Sequence, residues 1–126
     1  MDKNKEKQIA DYLPLTESGY YILLTLIKPL HGYAMMQEIE DLSNGTVTIG
    51  PGTLYGAVAT MEQAGLIELV REEDRRKEYL LTAKGALVLM EQIKRFETML
   101  KNGRNRNSIL KSLVRKREVQ DERNQK

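Results

Sequence analysis

The chain has 126 residues, of which 40% are hydrophobic and 30% charged, a profile typical of one soluble globular domain. The absence of cysteine excludes disulfides and thiolate metal sites, as suits a reducing cytoplasm, and we expect neither a membrane-spanning run nor a signal peptide. The net charge of +2 divides into −4 over residues 1–100 (11 Lys and Arg, 15 Asp and Glu) and +6 over residues 101–126 (9 against 3), so the basic charge belongs to the tail.

The first predicted element after the polar start of the chain is a buried helix. Residues 1–14 have only a weak apolar patch and predict an arm or a short helix. Thr16 can cap the next helix through its hydroxyl, and apolar residues then recur at helical spacing from Tyr20 to Leu30. Pro29 is expected to close this helix, because the residue before a proline is pushed out of helical geometry.

Two further helices and a short strand are predicted before residue 66. After a predicted connector at His31-Gly32-Tyr33, the next helix has an apolar stripe of Met35, Met36, Ile39 and Leu42, and Ser43-Asn44-Gly45 is expected to stop it because Asn and Gly tolerate positive φ. Residues 46–49 are β-prone and predict a short strand. Pro51 fits the first position of the third helix, which ends at Gly65.

The apolar period then changes from 3.6 to 2, which predicts a hairpin. Residues 66–71 and 77–82 form the two strands, and the charged residues 72–76 form the turn. Thr82 is expected to cap a long fourth helix that ends at Asn102-Gly103. Residues 104–117 keep one apolar patch that permits a further helix, and we expect disorder beyond Glu118.

This order of elements predicts an α+β, mostly α fold, the winged helix-turn-helix domain followed by a C-terminal helix. In that fold the third helix enters the DNA major groove and the hairpin, or wing, reaches the flanking backbone. The predicted boundaries are an N-terminal arm or short helix over residues 1–14, the winged domain over 15–82, a dimerisation helix over 83–103 and a partly disordered basic tail over 104–126.

Residues 15–89 resemble the PadR family of bacterial transcriptional regulators. The resemblance rests on four motifs in the family's order and spacing, which are His31-Gly32-Tyr33, Gly50-Pro51-Gly52-Thr53-Leu54-Tyr55, Gly65-Leu66-Ile67, and Arg75-Arg76-Lys77-Glu78-Tyr79 with Leu81-Thr82-Ala83-Lys84-Gly85. It implies a homodimeric, repressor-like DNA-binding protein of the short form, with a single C-terminal helix as the dimer interface. Many members respond to small aromatic or drug-like molecules, so a small aromatic effector is a candidate partner.

The candidate DNA contacts lie on the recognition helix, residues 52–64, and on the wing, residues 71–78. Hydroxyl groups and free amides at a helix start can donate to phosphates, and a cationic wing tip can neutralise phosphate charge. The alternative for Tyr55 is packing on the wing, and the alternative for the wing cations is a solvated hairpin tip without DNA contact. The predicted contact residues are Thr53, Tyr55, Thr60, Arg75, Arg76 and Lys77.

The recognition helix departs from the family pattern because residues 52–64 contain no Lys or Arg. It therefore cannot recognise guanine through a bidentate arginine. Sequence preference would depend on Thr53, Thr60, Gln63, contacts of Ala59 with thymine methyl groups, or DNA shape. Gly50 also replaces the stronger hydroxyl cap that is common in the family at this place.

An apolar stripe on the fourth helix is the predicted dimer interface, because a helix after the wing has little of its own domain to cover. Its residues are Leu89, Met90, Ile93, Phe96 and Leu100. The alternatives are packing within one subunit, or an effector pocket lined by Phe96, Met90, Met99 and Tyr20 or Tyr21. The cluster Lys111, Arg115, Lys116 and Arg117 fits either a phosphate contact or a solvated extension.

Two function hypotheses follow, and an enzyme is a distant third. One is a sequence-specific DNA-binding repressor that acts as a homodimer, and the other is a winged-helix dimer that serves as a protein-interaction adaptor without specific DNA recognition. The chain has no metal motif, no phosphate-binding loop and only one histidine, so we predict no enzyme activity, cofactor or metal. We interpret that histidine, His31, as a turn residue hydrogen-bonded to the backbone.

Overall fold

The computed structural model describes residues 3–125, which divide into two compact units on either side of the Gln92–Ile93 bond. The first unit holds the helices of the amino-terminal half, the hairpin and the start of α5; the second holds the rest of α5 and all of α6. The elements are α1 (Lys3–Ala10), α2 (Glu17–Thr25), α3 (Gly32–Leu42), α4 (Pro51–Gln63), β1 (Ile67–Glu73), β2 (Arg76–Leu81), α5 (Ala83–Asn105) and α6 (Asn107–Asn124).

The core of the first unit is aliphatic, as expected for a chain with one Phe and no Trp. Helices α2, α3, α4 and the start of α5 each turn one apolar face toward it, and β1 contributes Ile67. The side chains that are almost completely buried include Ile22, Leu23, Leu26, Met35, Ile39, Leu54, Ile67 and Val88. Burial of this kind contributes about 1.5–3 kcal/mol for each large aliphatic side chain.

Helix α2 begins as predicted and ends earlier than predicted. Thr16 caps it, with the Gly19 amide donating to Thr16 Oγ1 at 2.9 Å. The last helical residue is Thr25, four residues before Pro29, because the Leu26 carbonyl accepts a hydrogen bond from the Leu81 amide (2.8 Å). The prediction of burial was wrong for Ile27, which lies after the helix and is 70% exposed.

The hairpin is antiparallel and gains a third partner from the segment after α2. Leu30 forms an isolated bridge with Tyr79, with backbone hydrogen bonds in both directions at 2.9 and 3.2 Å. The predicted strand at residues 46–49 is absent. The Val47 amide donates instead to Ser43 Oγ (3.0 Å), which itself donates to the Val47 carbonyl (3.2 Å), so both backbone groups of Val47 are bonded within this loop.

The wing turn is tighter than the predicted five residues. Strands β1 and β2 pair as far as Glu73 and Arg76, so only Asp74 and Arg75 remain in the turn. Both have positive φ, 49° and 69°, as the favoured two-residue hairpin turns require. Val70 lies at a register shift in β1, which strengthens the local twist of the hairpin.

The start of α5 is held against the base of the wing. Thr82 accepts from the Gly85 amide (3.0 Å), which confirms it as a helix cap, and donates to the Gly65 carbonyl (2.6 Å). Gly85 has to be a glycine, because a Cβ there would collide with the Leu66 carbonyl oxygen. The helix and the wing base therefore pack backbone against backbone.

The N-terminal segment is also tied to α5, which the sequence did not predict. The Leu15 amide donates to Oε1 of the buried Gln92 at 2.6 Å. Lys84 donates to the Tyr12 hydroxyl (3.0 Å) and to the Ala64 carbonyl (2.9 Å) at the end of α4. Lys84 thereby joins the N-terminal segment to the last turn of α4.

In the second unit, the helices extend beyond both predicted ends. α5 continues through Gly103 to Asn105, and α6 begins at Asn107 after a break at Arg106 (φ −107°, ψ 0°). α6 then reaches Asn124, where disorder was expected after Glu118. This stretch is rich in good helix formers and contains an i, i+4 ion pair between Arg117 and Asp121 (3.8 Å).

The α+β, mostly helical fold class agrees with the prediction. Between residues 3 and 125, no helix combines the length and the apolar character that a membrane span requires.

Candidate nucleic-acid interface

The ring of Tyr55, near the start of α4, lies against Gly32, the first residue of α3. A Cβ built on Gly32 would come within 2.7 Å of the Tyr55 hydroxyl and 2.9 Å of two ring carbons. Gly32 is therefore required for Tyr55 to occupy this position. Tyr55 remains 55% exposed, so its hydroxyl stays available to a ligand.

A groove of about 440 Å³ surrounds this contact and joins three parts of the first unit. The start of α3, the start of α4 and the wing each contribute side chains to its walls. The lining residues are His31, Gly32, Tyr33, Tyr55, Arg75, Arg76, Lys77 and Tyr79. Four of the six predicted DNA contacts, Tyr55 and the three wing cations, therefore meet in one place.

The cations of the wing differ in whether they are neutralised. Arg71 pairs with Glu73 (2.8 Å) and lies 3.8 Å from Glu78. Within residues 3–125, neither Arg75 nor Arg76 takes part in an ion pair, and the same holds for the exposed Lys77. The wing tip thus presents three free positive charges beside the Tyr55 hydroxyl.

A second hollow of about 510 Å³ lies along the wing and carries both signs of charge. Its lining residues are His31, Arg71, Glu73, Asp74, Arg76 and Glu78. Three carboxylates there oppose two arginines, so an anionic ligand would favour the groove at Tyr55 instead. Arg76 lines both this hollow and the groove at Tyr55, and its long side chain can contact a ligand in either one.

The exposed face of α4 has a different character, small and uncharged. Thr53, Gly56, Ala59 and Thr60 are all exposed, and a Cβ on Gly56 would meet no atom within 4 Å. The Thr60 hydroxyl donates to the Gly56 carbonyl (3.1 Å), which leaves its lone pairs as acceptors toward solvent. Thr53 and Thr60 therefore lie on α4 outside the residues that line the groove.

The start of α4 is an open helix N-terminus. Gly50 is its N-cap and forms no side-chain cap, and Pro51 at the first position has no amide hydrogen. Free amides at a helix start, together with the helix dipole, favour an anion such as a phosphate.

His31 and Tyr33 were missed as groove residues by the sequence analysis. The His31 carbonyl accepts from the Met35 amide (3.0 Å), and its side chain forms no cap bond to α3. Tyr33 is 62% exposed, and its hydroxyl accepts from Gln37 (3.1 Å). The available signal was the position of both residues beside Gly32.

Tyr79 forms the inner wall of the groove and is largely buried. Burial raises the pKa of the Tyr79 phenol above its ordinary value, and the nearby Glu62, Glu72 and Tyr55 raise it further. The phenol therefore stays neutral and does not repel an anion in the groove.

The predicted dimer residues on α5 differ in exposure. Leu89 is buried within the first unit, Met90 is 64% exposed and Leu100 is 54% exposed. Ile93 is half-buried and Phe96 is 37% exposed. Leu89 is thus already covered in the single chain, whereas most of the stripe still offers apolar surface. Within the described residues, no three His, Asp or Glu side chains group as a metal site.

Residues 22–91 match the model of the transcriptional regulator PadR-like family, which is more than half of the chain. The chain belongs to the PadR-like family. This confirms the resemblance inferred from the four motifs, and it makes the protein one of a family of transcriptional regulators, with the wing and α4 as the parts of its winged-helix domain.

Two curated relatives are similar over part of their length. The transcriptional regulator YqjI of Escherichia coli K12 is 34% identical over 74 residues, which are 56% of this chain and 36% of that protein. An uncharacterised 37.1 kDa protein of transposon Tn4556 from Streptomyces fradiae is 41% identical over 61 residues, 48% of this chain and 17% of that protein. The chain therefore spans about a third or less of these two relatives.

Solved structures agree with the fold. A transcriptional regulator from Clostridium thermocellum aligns with a TM-score of 0.60 and 26% identity, covering 75% of this chain and 92% of that one. RosR of H. salinarum aligns with a TM-score of 0.63 and 23% identity, covering 82% and 94%. The second likeness supports the fold alone.

Proposed function

We propose that this chain is a sequence-specific DNA-binding transcriptional repressor that acts as a homodimer in the bacterial cytoplasm. Helix α4 would lie in the major groove, and the wing, residues 71–78, would contact the flanking backbone. The observation that carries the proposal is the groove at Tyr55, where the free cations Arg75, Arg76 and Lys77 line the same groove as an exposed phenol hydroxyl. Phosphate oxygens are acceptors that suit both kinds of donor.

The site divides the work of binding between two surfaces. Arg75, Arg76 and Lys77 supply charge that any DNA sequence can use, because phosphates are the same everywhere. The small face of α4, with Thr53, Thr60 and the exposed Ala59, allows close approach to base edges and to thymine methyl groups. Repression would follow from occupation of a promoter by the dimer.

The proposal is tested by fluorescence anisotropy with DNA from upstream of the protein's own gene and with a random duplex of equal length. We expect tighter binding to the upstream DNA and a steep loss of affinity with salt, since a dimer that contacts about 6–10 phosphates loses roughly 10³–10⁵ in affinity between 50 and 200 mM salt. Equal and weak binding of both duplexes at low salt would refute the proposal.

A protein-interaction adaptor is the second candidate function. It is favoured by one observation, the absence of Lys and Arg from residues 52–64 in a region, residues 1–100, whose net charge is −4. The two functions differ in what Arg75→Ala combined with Arg76→Ala would do. An adaptor would show no change in nucleic-acid binding, and a strong loss would exclude it.

We also propose a small aromatic effector as a partner of this chain, on the basis of its family membership. Titration of the DNA complex with aromatic acids tests it, because an effector has to change the affinity for DNA if it binds the free and bound forms differently.

A further inference from the structure

The single histidine of the chain lines both hollows described above. His31 contributes to the wall of the groove at Tyr55 and to that of the hollow along the wing. It lies directly before Gly32, the first residue of α3, and is partly exposed. The proposed function uses the cations and the Tyr55 hydroxyl of this region and gives the imidazole no role.

The His31 imidazole has no partner of its own among residues 3–125. It forms no hydrogen bond or ion pair there, and it does not cap α3. The structural role at this position belongs to the backbone, because the His31 carbonyl accepts from the Met35 amide (3.0 Å) in the first turn of the helix. The imidazole nitrogens therefore remain available to a ligand, and replacing the side chain leaves that backbone bond in place.

The two hollows bring different charges to His31. In the hollow along the wing, three carboxylates stand with two arginines, which are Glu73, Asp74, Glu78, Arg71 and Arg76. In the groove at Tyr55, the charged groups are the cations Arg75, Arg76 and Lys77, and the other titratable groups are the phenols of Tyr33, Tyr55 and Tyr79. An anion bound in the groove would therefore meet His31 where the other charges already attract the anion.

We infer that His31 is a further contact to the DNA phosphates, and that it takes up a proton from solvent when DNA binds. Histidine changes its charge between about pH 5 and 8. A phosphate beside the imidazole favours the charged form, in which both ring nitrogens donate hydrogen bonds. Protonation and DNA binding therefore favour each other, and the affinity rises as the pH falls through this range. The inference rests on the proposed function and extends it by one contact residue and by a dependence on pH.

The composition allows such a pH dependence to be assigned to one residue. Histidine is the side chain whose ordinary pKa lies in this range, and the chain has one histidine and no cysteine. Carboxylates with ordinary pKa values stay charged above about pH 6, and phenols, lysines and arginines keep their charge state below about pH 8. The α-amino group also titrates near the upper end, and variants of His31 separate its contribution from that of the imidazole.

The first experiment measures the affinity for DNA by fluorescence anisotropy at about pH 6 and about pH 8, at constant ionic strength. The wild type should bind about tenfold more tightly at the lower pH, because each phosphate contact favours the protonated imidazole. His31→Gln stays neutral, so it should bind at both pH values as the wild type does at the higher one. A difference that persists in His31→Gln, or a wild-type affinity that is the same at both pH values, would overturn the inference.

Two further variants separate the charge of the imidazole from other effects of the substitution. His31→Lys has a permanent charge and should bind tightly at both pH values. His31→Gln combined with Ala83→His restores a single histidine on the exposed first residue of α5, outside both hollows, and its affinity should not depend on pH. Thermal unfolding of each variant at both pH values checks that the fold is kept. A pH dependence restored by Ala83→His would contradict the contact at His31.

The same titration distinguishes this inference from the proposed function. Because every duplex has the same phosphates, the pH effect should appear with random DNA as well as with the upstream DNA. Equal affinity for both duplexes with the pH effect intact would refute the proposed function only. Preferential binding of the upstream DNA, with an affinity that does not depend on pH, would refute the inference only.

Discussion

The wing and the recognition helix of this protein have opposite surfaces. The wing tip carries three cations without an ion pair, Arg75 in its two-residue turn and Arg76 and Lys77 at the start of β2, whereas the exposed face of α4 carries small, neutral side chains and an open glycine at position 56. Charge provides affinity for every duplex, and close contact with base edges provides preference among duplexes. In the proposed DNA complex the two properties would lie on separate elements, so substitutions could change them separately.

The largest effect is expected for Arg75→Ala combined with Arg76→Ala. Two wings in a dimer would lose up to four phosphate contacts, so the slope of log affinity against log salt should become shallower by about 3–4, with an affinity loss of about 100-fold at low salt. Anisotropy across a salt series measures both. Arg71→Ala is the matched control, since Arg71 is already paired with Glu73 and should change the slope by less than one.

A change on α4 should affect preference and leave charge alone. Ala59→Gln places a longer side chain on the face that approaches the bases, and we expect about a tenfold loss of affinity for preferred DNA, the cost of roughly one mismatched base contact. Affinity for random DNA should hold within twofold. Ala83→Gln, on the exposed first residue of α5, is the control for a glutamine added elsewhere.

The Tyr55 hydroxyl should contribute less than the cations. Tyr55→Phe keeps the ring on Gly32 and removes one donor, so the expected loss of DNA affinity is about threefold to tenfold, the value of a single hydrogen bond. Thermal unfolding should not change. Gly32→Ala should have an effect in the same direction because it displaces the ring, and Tyr21→Phe, outside the groove, should have none.

The smallest effect concerns stability at high pH. Burial raises the pKa of Tyr79 in the folded state. The contribution of the buried phenol to the free energy of unfolding is therefore complete below the ordinary tyrosine pKa of 10.0, and it is lost as the pH rises through the raised pKa. The free energy of unfolding of the wild type, measured with denaturant, should therefore fall as the pH rises above the ordinary tyrosine pKa. The free energy of unfolding of Tyr79→Phe should fall less steeply with pH. Identical pH profiles of the two proteins would contradict the assigned burial of Tyr79.

Local rules predicted the parts of the fold that depend on neighbouring residues. Thr16 and Thr82 were assigned as caps from their hydroxyls, and positive φ was expected and found at Asn44 and Gly45 (53° and 77°). The period change placed the hairpin correctly. These features are set by propensity and spacing, which one sequence contains.

Tertiary pairing decided the rest. The bridge between Leu30 and Tyr79 joins residues 49 positions apart, and no local pattern marks Leu30 as a strand partner. The charged residues at the wing tip have little β-propensity, so the sequence predicted a turn longer than the two residues observed. The contact of Tyr55 with Gly32 was invisible for the same reason, although the glycine itself was part of a recognised motif.

The most direct test of the division between wing and recognition helix is the ratio of affinities for preferred and random DNA in the Arg75→Ala/Arg76→Ala variant. Both affinities should fall together, and the ratio should stay within about twofold of the wild type, because phosphate contacts carry no sequence information. A ratio that collapses toward one would show that the wing reads sequence, and it would contradict the account given for α4.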